Sequence, residues 1–198
     1  MEHGASRSIL ENLHGRRGQL ALMLALTGSA LVALALAEAR RPEARPELID
    51  LAEALQVQWV GMPAPDFDLP LQGGGRFTDG DLDGPPVLVH FWASWCPSCL
   101  PELKLFGELR QRYGPQELRL VHVSLDEEWN AARQVLPQPW TMELALDRSS
   151  RVARAFGTEK LPEAYLIDAH GQVLLRFVAN QPWLEPRMLQ LLDGFVRK

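Results

Sequence analysis

Cysteine is scarce in this chain, since Cys96 and Cys99 are the only two among 198 residues. Two thiols are too few for a disulfide-stapled scaffold, and they leave no third and fourth thiolate for a structural zinc site. A basic excess is also missing, because the formal net charge is -5. Nucleic-acid binders usually carry a basic face, so we expect no nucleic-acid partner.

A phosphate-binding loop is absent as well. Gly73-Gly74-Gly75 is rich in glycine, but no Gly-Lys-Ser/Thr follows it. The triplet instead predicts a hairpin turn that leads into Arg76-Phe77-Thr78.

One long apolar run is present near the start of the chain. Gln19 to Ala37 contains only Gln19, Thr27 and Ser29 as polar residues. At ~1.5 Å per residue such a helix spans roughly 28 Å, close to the thickness of the bilayer hydrocarbon. We predict a transmembrane anchor; a signal peptide cleaved near residues 35–39, where small residues alternate, is the alternative. Both place the cysteines outside the cytoplasm.

The remainder of the chain divides around this run. Residues 1–18 form a short cytoplasmic tail, with Arg16 and Arg17 just before the anchor, and 19–37 form the anchor itself. Residues 38–58 form a linker with a short amphipathic helix around Leu48 and Leu51. With 46% hydrophobic residues in the whole chain, 59–198 are long enough for one folded domain.

The dithiol follows an apolar stretch, Pro86 to Trp95, that is typical of a buried strand. After Cys99, apolar residues at 103, 106, 109 and 113 have helical spacing. The cysteines therefore lie at a strand-to-helix junction, where unpaired N–H groups and the helix dipole favour a thiolate. We expect Cys96 to attack a partner's disulfide and Cys99, one helical turn away, to resolve the mixed disulfide.

Strand and helix patterns alternate through the rest of the domain, which predicts an α/β fold with a largely parallel sheet. A strand at 118–125 precedes a helix that opens at Asp126. A short apolar run at 141–146 precedes a helix with Ser149 as its N-cap. A hairpin joins 164–168 to 172–178, and Glu185-Pro186 begins the last helix.

Two segments carry a family resemblance: Phe91 to Cys99, and Leu161-Pro162-Glu163-Ala164-Tyr165-Leu166-Ile167-Asp168. Over roughly residues 60–198 they resemble the thioredoxin superfamily, and within it the membrane-tethered, extracytoplasmic TlpA/ResA-type thiol-disulfide oxidoreductases. The resemblance implies a thioredoxin-like fold with a central mixed sheet and helices on both faces. It also implies a redox-active Cys96–Cys99 disulfide and no other cofactor.

The resemblance further implies partners and a direction. Family members with a tethered domain mostly act as reductants, so the partners would be thiols or disulfides of exported proteins and a membrane electron donor for the dithiol. Apocytochromes c and copper sites of oxidases are the substrates that this class suggests. The enzyme would be a protein-disulfide reductase on the periplasmic side of a cell inner membrane.

Several other residues take roles from the same resemblance. Pro162 matches a cis-proline beside the dithiol, and Leu161 would lend its backbone to a substrate strand. Pro97 and Ser98, between the cysteines, would tune the redox potential. Trp95 would shield the sulfurs and offer a partner a flat apolar surface, whereas Trp92 is expected in the core.

His90 departs from the family, because thioredoxins carry a buried aspartate at this strand position and many TlpA-like proteins an asparagine. It is either a proton acceptor for Cys99 or a core histidine bonded to backbone. Glu102 is predicted to be a solvated or partner-contacting helix residue and Asp126 a helix cap. His170 is expected to be exposed in the hairpin turn.

Three other functions are weighed against disulfide reduction. A copper-delivery module would bind metal through both cysteines with His90 or His122 and would not turn over. A disulfide-donating oxidant would use the same dithiol in the opposite direction. Peroxide reduction is disfavoured, because neither cysteine lies in a Pro-x-x-x-Thr-x-x-Cys context.

Overall fold

The computed structural model describes residues 46–196. The helices are α1 (Pro46–Ala54), α2 (Cys99–Arg112), α3 (Trp129–Val135), α4 (Arg151–Ala155) and α5 (Pro186–Val196), with a 3-10 turn at Asp79–Leu82. The strands are β1 (Gln58–Pro63), β2 (Asp68–Pro70), β3 (Arg76–Thr78), β4 (Val87–Trp92), β5 (Arg119–Ser124), β6 (Glu143–Leu146), β7 (Glu163–Ile167) and β8 (Gln172–Val178).

Within these described residues no helix combines the length and apolarity needed to cross a bilayer. The predicted tail at 1–18 and anchor at 19–37, together with the linker up to residue 45, lie outside the described residues.

Six strands form one mixed sheet in the order β1-β8-β7-β4-β5-β6. Strands β4, β5 and β6 run parallel, while β7 pairs antiparallel with both β4 and β8. The predicted parallel strands and the terminal antiparallel hairpin are therefore confirmed. The glycine turn is also confirmed, since β2 and β3 pair antiparallel on either side of it.

Side chains of β4 alternate between two apolar clusters, as a strand buried on both faces requires. Leu88 packs with Phe106 of α2, Leu51 of α1 and Leu192 of α5 on one face. Val89 and its like-facing neighbours pack with α4 and the β2–β3 hairpin on the other. The thioredoxin-like arrangement, a mixed sheet with helices on both faces, is thus confirmed.

The start of α4 differs from the prediction. Its N-cap is Ser150 rather than Ser149, and Ser150 has a left-handed backbone with φ of 53°. The buried carboxylate of Asp147 accepts hydrogen bonds from the N–H groups of Arg151 and Ala153. A carboxylate three residues before the N-cap therefore does the capping, because it reaches two of the unpaired N–H groups.

Candidate active site

The two cysteines form a disulfide at the N-terminus of α2, with an S–S distance of 2.02 Å and Cα atoms 5.4 Å apart. The turn is closed by hydrogen bonds from Cys96 N to Ala93 O and from Cys99 N to Cys96 O. Cys96 keeps 6% of its surface exposed, and Cys99 is 0% exposed. Of the two cysteines, only Cys96 therefore keeps any exposed surface.

A groove of about 420 Å³ lies beside Cys96, and we refer to it as the dithiol groove. One side of the groove is lined by residues 95–97, around the dithiol, and the opposite side by residues 158–161, in the loop before β7. Leu125 and Ser150 complete the lining. The Leu161–Pro162 peptide that follows is cis, as the resemblance implies. The groove brings Cys96 and the cis-proline loop together on one surface.

The predicted neighbours of the dithiol take distinct places. Trp95 is 66% exposed at the rim of the groove, whereas Trp92 is fully buried, as expected. Pro97 and Ser98 are exposed, and the Ser98 hydroxyl lies 3.4 Å from Cys96 Sγ. His170 is exposed in the β7–β8 turn, as predicted, and it does not line the groove.

His90 is buried, but its partners are side chains rather than backbone. Its Nδ1 lies 3.1 Å from Nδ1 of His122, directly across the β4–β5 pairing. Its Nε2 lies 3.4 Å from Glu102 Oε2, close enough for ionic attraction, although the alignment is not that of a hydrogen bond. Burial, and secondarily the positive charge that His90 can carry, hold the pKa of His122 well below its usual value.

Glu102 is not solvated, contrary to the prediction, since only 2% of it is exposed. One carboxylate oxygen accepts hydrogen bonds from Gln181 N at 2.7 Å and from Trp183 Nε1 at 2.8 Å. The same loop also reaches the dithiol turn, because Asn180 Nδ2 donates to Ser98 O at 2.6 Å. Burial of a carboxylate is tolerated where donors replace water, and these donors come from about 80 residues away.

Asp126 is not the helix cap that was predicted, because α3 begins only at Trp129 after an N-cap at Glu128. Its buried carboxylate accepts hydrogen bonds from Ser94 N at 3.0 Å, Ser94 Oγ at 2.7 Å and Ser124 Oγ at 2.7 Å. These contacts tie the loop before Cys96 to the end of β5. In the sequence, the signal for this contact is a serine just before the dithiol and an acidic residue just after the next strand.

The copper-delivery hypothesis requires histidine nitrogens beside the sulfurs. Among residues 46–196, no group of three or more His, Cys, Asp or Glu side chains is placed to hold a metal ion. The nitrogens of His90 and His122 face each other and Glu102 inside the core instead. This arrangement gives the hypothesis no support.

Comparison with known proteins agrees with the fold and the dithiol. The AhpC/TSA family matches residues 60–176. A thiol-disulfide oxidoreductase ResA from Bacillus thuringiensis is 26% identical over 140 residues, covering 70% of this chain and 78% of its own. A thiol:disulfide interchange protein DsbE from Pseudomonas aeruginosa is 32% identical over 148 residues, covering 68% and 78%.

A solved structure is similar over nearly its full length. A chain from Chlorobium tepidum, provisionally named thiol:disulfide interchange protein DsbE, is 33% identical, with a TM-score of 0.59 over 67% of this chain and 96% of its own. The similarity in fold and sequence, together with the Cys96–Cys99 disulfide of this chain, indicates the activity that these names share. The chain belongs to the AhpC/TSA family and is a thiol-disulfide oxidoreductase of the ResA and DsbE type.

Proposed function

We propose that this enzyme reduces disulfides of exported proteins outside the cytoplasm, with cytochrome c maturation or copper-site assembly as the process served. The observation that carries the proposal is the unequal access of the two sulfurs beside an open groove, with Cys96 reaching its surface and Cys99 buried. A polypeptide disulfide lying in the groove meets one sulfur only, which gives the exchange a defined order.

In the first step the Cys96 thiolate attacks one sulfur of the substrate disulfide. A Cys96–substrate disulfide forms, and the other substrate sulfur leaves as a thiolate. The deprotonated Cys99 then attacks Cys96 Sγ, so that the Cys96–Cys99 disulfide forms and the second substrate sulfur leaves. Two electrons pass to the substrate, whose thiolates each take up one proton, and a membrane dithiol donor must then reduce the enzyme.

Residues around the sulfurs assist this exchange in our proposal. Ser98 Oγ, 3.4 Å from Cys96 Sγ, donates to the thiolate once the disulfide opens. Leu161 and Pro162 form the opposite wall, where the substrate backbone lies. His90 is the proposed proton acceptor for Cys99; its Nε2 lies 3.4 Å from Oε2 of Glu102, which is one helical turn after Cys99.

The location rests on the sequence of the segment before the domain. The 19 residues from Gln19 to Ala37 are apolar enough to anchor the chain, and they precede the dithiol domain. Fusing alkaline phosphatase, which needs an oxidising compartment, after Lys198 should give active enzyme. Fusion after Gly18 should not, and equal activity of both fusions would contradict the proposed orientation.

The direction of electron flow is tested by the reduction potential of the full chain, equilibrated with glutathione or dithiothreitol. A reductant should lie well below about -200 mV, whereas a disulfide donor should lie near about -120 mV. The first result supports reduction of exported proteins. The second would overturn the direction and favour the oxidant.

A further inference from the structure

Opposite Cys96, the wall of the dithiol groove is held by a buried hydrogen-bond network. Thr158 Oγ1 lies 3.1 Å from Tyr165 Oη, which donates to Glu163 Oε2 at 2.9 Å. Arg176 Nη2 donates to Glu163 Oε1 at 2.7 Å and to Gly157 O at 3.0 Å. The network thus joins two neighbouring strands to the backbone and side chain of the loop that precedes the cis-proline.

The centre of the network is buried, whereas Arg176 and Thr158 are half-buried, and its hydrogen bonds have a fixed direction. Glu163 and Tyr165 are each 1% exposed. Burial raises the pKa of Tyr165 to about 12, so the phenol stays protonated. Its O–H group donates a hydrogen bond to the Glu163 carboxylate. The Tyr165 oxygen is then left to accept the hydroxyl proton of Thr158. Arg176 supplies the positive charge that a buried carboxylate needs.

This network reaches the groove at one end only. Thr158 lines the groove, but Tyr165, Glu163 and Arg176 are not part of the lining. These three residues therefore affect the reaction by fixing the position of residues 157–161. A change at Tyr165 therefore alters the wall without altering either sulfur.

The wall matters to some substrates more than to others. A small disulfide needs only the exposed edge of Cys96, whereas a polypeptide disulfide must also lie along residues 158–161 to present its sulfur. Wall residues that are already fixed lose less entropy when a polypeptide binds, so binding is tighter. The wall therefore distinguishes polypeptide disulfides from small ones by how tightly they bind, and not by how fast the sulfurs react.

We propose that Tyr165 is a positioning residue that, with Glu163 and Arg176, fixes the groove wall and thereby sets the preference for polypeptide disulfides over small ones. The inference rests on the proposed function, since it takes the groove to be where a protein substrate binds. It assigns specificity to a phenol hydroxyl that touches neither substrate nor sulfur.

The test uses the full chain in detergent micelles with its dithiol reduced beforehand, mixed with insulin or with hydroxyethyl disulfide. Oxidation of the dithiol is followed by tryptophan fluorescence in a stopped-flow instrument. In Tyr165→Phe, the insulin concentration that gives half the maximal rate should rise about three- to tenfold, the effect of losing the hydrogen bond that holds Thr158. The maximal rate, the hydroxyethyl disulfide rate and the reduction potential should be unchanged.

Tyr113→Phe is the matched control. Tyr113 is the only other tyrosine of the chain, is also buried, and donates its hydroxyl to Asp193 Oδ1 at 2.7 Å. Its substitution removes a phenol hydroxyl that bonds to Asp193 and, at 3.4 Å, to Leu189 O, in a region outside the groove lining. We expect it to lower stability by a similar amount and to leave the insulin half-saturation unchanged. A rise equal to that of Tyr165→Phe would overturn the inference.

Arg176→Lys gives an independent check if Tyr165→Phe folds poorly. Lysine keeps the charge beside Glu163 but lacks the planar group that also reaches Gly157 O. It should raise the insulin half-saturation in the same selective way. Equal slowing with both disulfides, or no effect in either variant, would refute the positioning role. If the wild-type enzyme reacts with hydroxyethyl disulfide but not with insulin, the proposed reduction of proteins fails instead.

Discussion

At the residue scale, the two cysteines differ chiefly in access. Cys96 lines the dithiol groove, whereas Cys99, the first residue of α2, is 0% exposed. Cys99→Ser should therefore accumulate a mixed disulfide between Cys96 and insulin, visible by mass spectrometry and lost on adding dithiothreitol. Cys96→Ser should trap little, because the remaining sulfur is buried. Equal trapping by both variants would show that either sulfur can be attacked.

The burial of Glu102 predicts a large effect from a small change. Glu102→Ala removes the acceptor for Gln181 N and Trp183 Nε1, leaving both donors in the core. We expect the free energy of unfolding to fall by about 2–3 kcal/mol, measured with urea on the full chain. Glu108→Ala, an exposed position on the same helix, is the control and should change it by less than about 0.5 kcal/mol.

The histidine pair predicts how stability depends on pH. The folded pKa of His122 is depressed, first by burial and then by His90, so the folded state binds fewer protons than the unfolded chain. Stability from this site is full above about pH 6.5 and falls as the pH drops below it, by up to about 1.4 kcal/mol per pH unit. Urea unfolding between pH 7.5 and 5.5 measures the slope.

His122→Phe should flatten that slope, since phenylalanine does not titrate, although it also removes the partner of His90 Nδ1. His170→Phe changes an exposed histidine and should leave the slope as in the wild type. A slope that His122→Phe leaves untouched would assign the pH dependence to other groups.

At the element scale, the loop before the dithiol depends on β5. Asp126 accepts two hydrogen bonds from Ser94 and one from Ser124, so Asp126→Ala leaves their donors unpaired. We expect a loss of about 2 kcal/mol in unfolding free energy, together with slower reaction of Cys96, whose loop is no longer held. Asp83→Ala, at an exposed carboxylate, should affect neither. If Cys96 reacted at the wild-type rate in Asp126→Ala, the contact between Asp126 and the loop would not affect the reaction.

Sequence patterns located these elements well but not their long-range polar contacts. The strand and helix around Cys96 follow from an apolar run and helical spacing, which are local signals. The partners of Glu102 lie in the loop before α5, about 80 residues away, and no spacing rule connects them. Asp147 displaced Ser149 as the cap because a carboxylate reached two N–H groups at once. The pairing of His90 with His122 required the register of β4 on β5.

At the scale of the whole molecule, buried carboxylates hold the loops around the dithiol. Glu102 fixes the loop before α5, Asp126 the loop before Cys96, Asp147 the start of α4, and Glu163 the loop before the cis-proline. Each of the four is at most 3% exposed. Glu102 and Asp126 accept hydrogen bonds directly from segments beside the disulfide, whereas Glu163 acts through Tyr165 and Arg176, so buried carboxylates contribute to the shape of the active site by both routes.

The helix α1 belongs to the same folded unit, although its sequence was predicted as part of a linker. Leu48, Leu51 and Ala52 are buried in the cluster that contains α5. Gly194 in α5 leaves space for this contact, since a Cβ there would lie 2.6 Å from Leu48 Cδ2 and 3.2 Å from its Cγ. The first helix of the described residues is therefore packed directly on the domain.

That packing predicts opposite signs for two glycine substitutions in helices. Gly107→Ala in α2 meets no atom within 4 Å and should raise unfolding free energy by up to about 1 kcal/mol, as helix propensity dictates. Gly194→Ala should lower it by about 1–2 kcal/mol, because Leu48 must move out of a filled core. Urea unfolding of both variants, and of Gly194→Ala combined with Leu48→Ala, measures the difference. If the clash with Leu48 is the cause, the double variant loses less unfolding free energy than the sum of the two single variants. Strictly additive losses would mean that Leu48 of α1 does not clash with a Cβ at position 194 of α5.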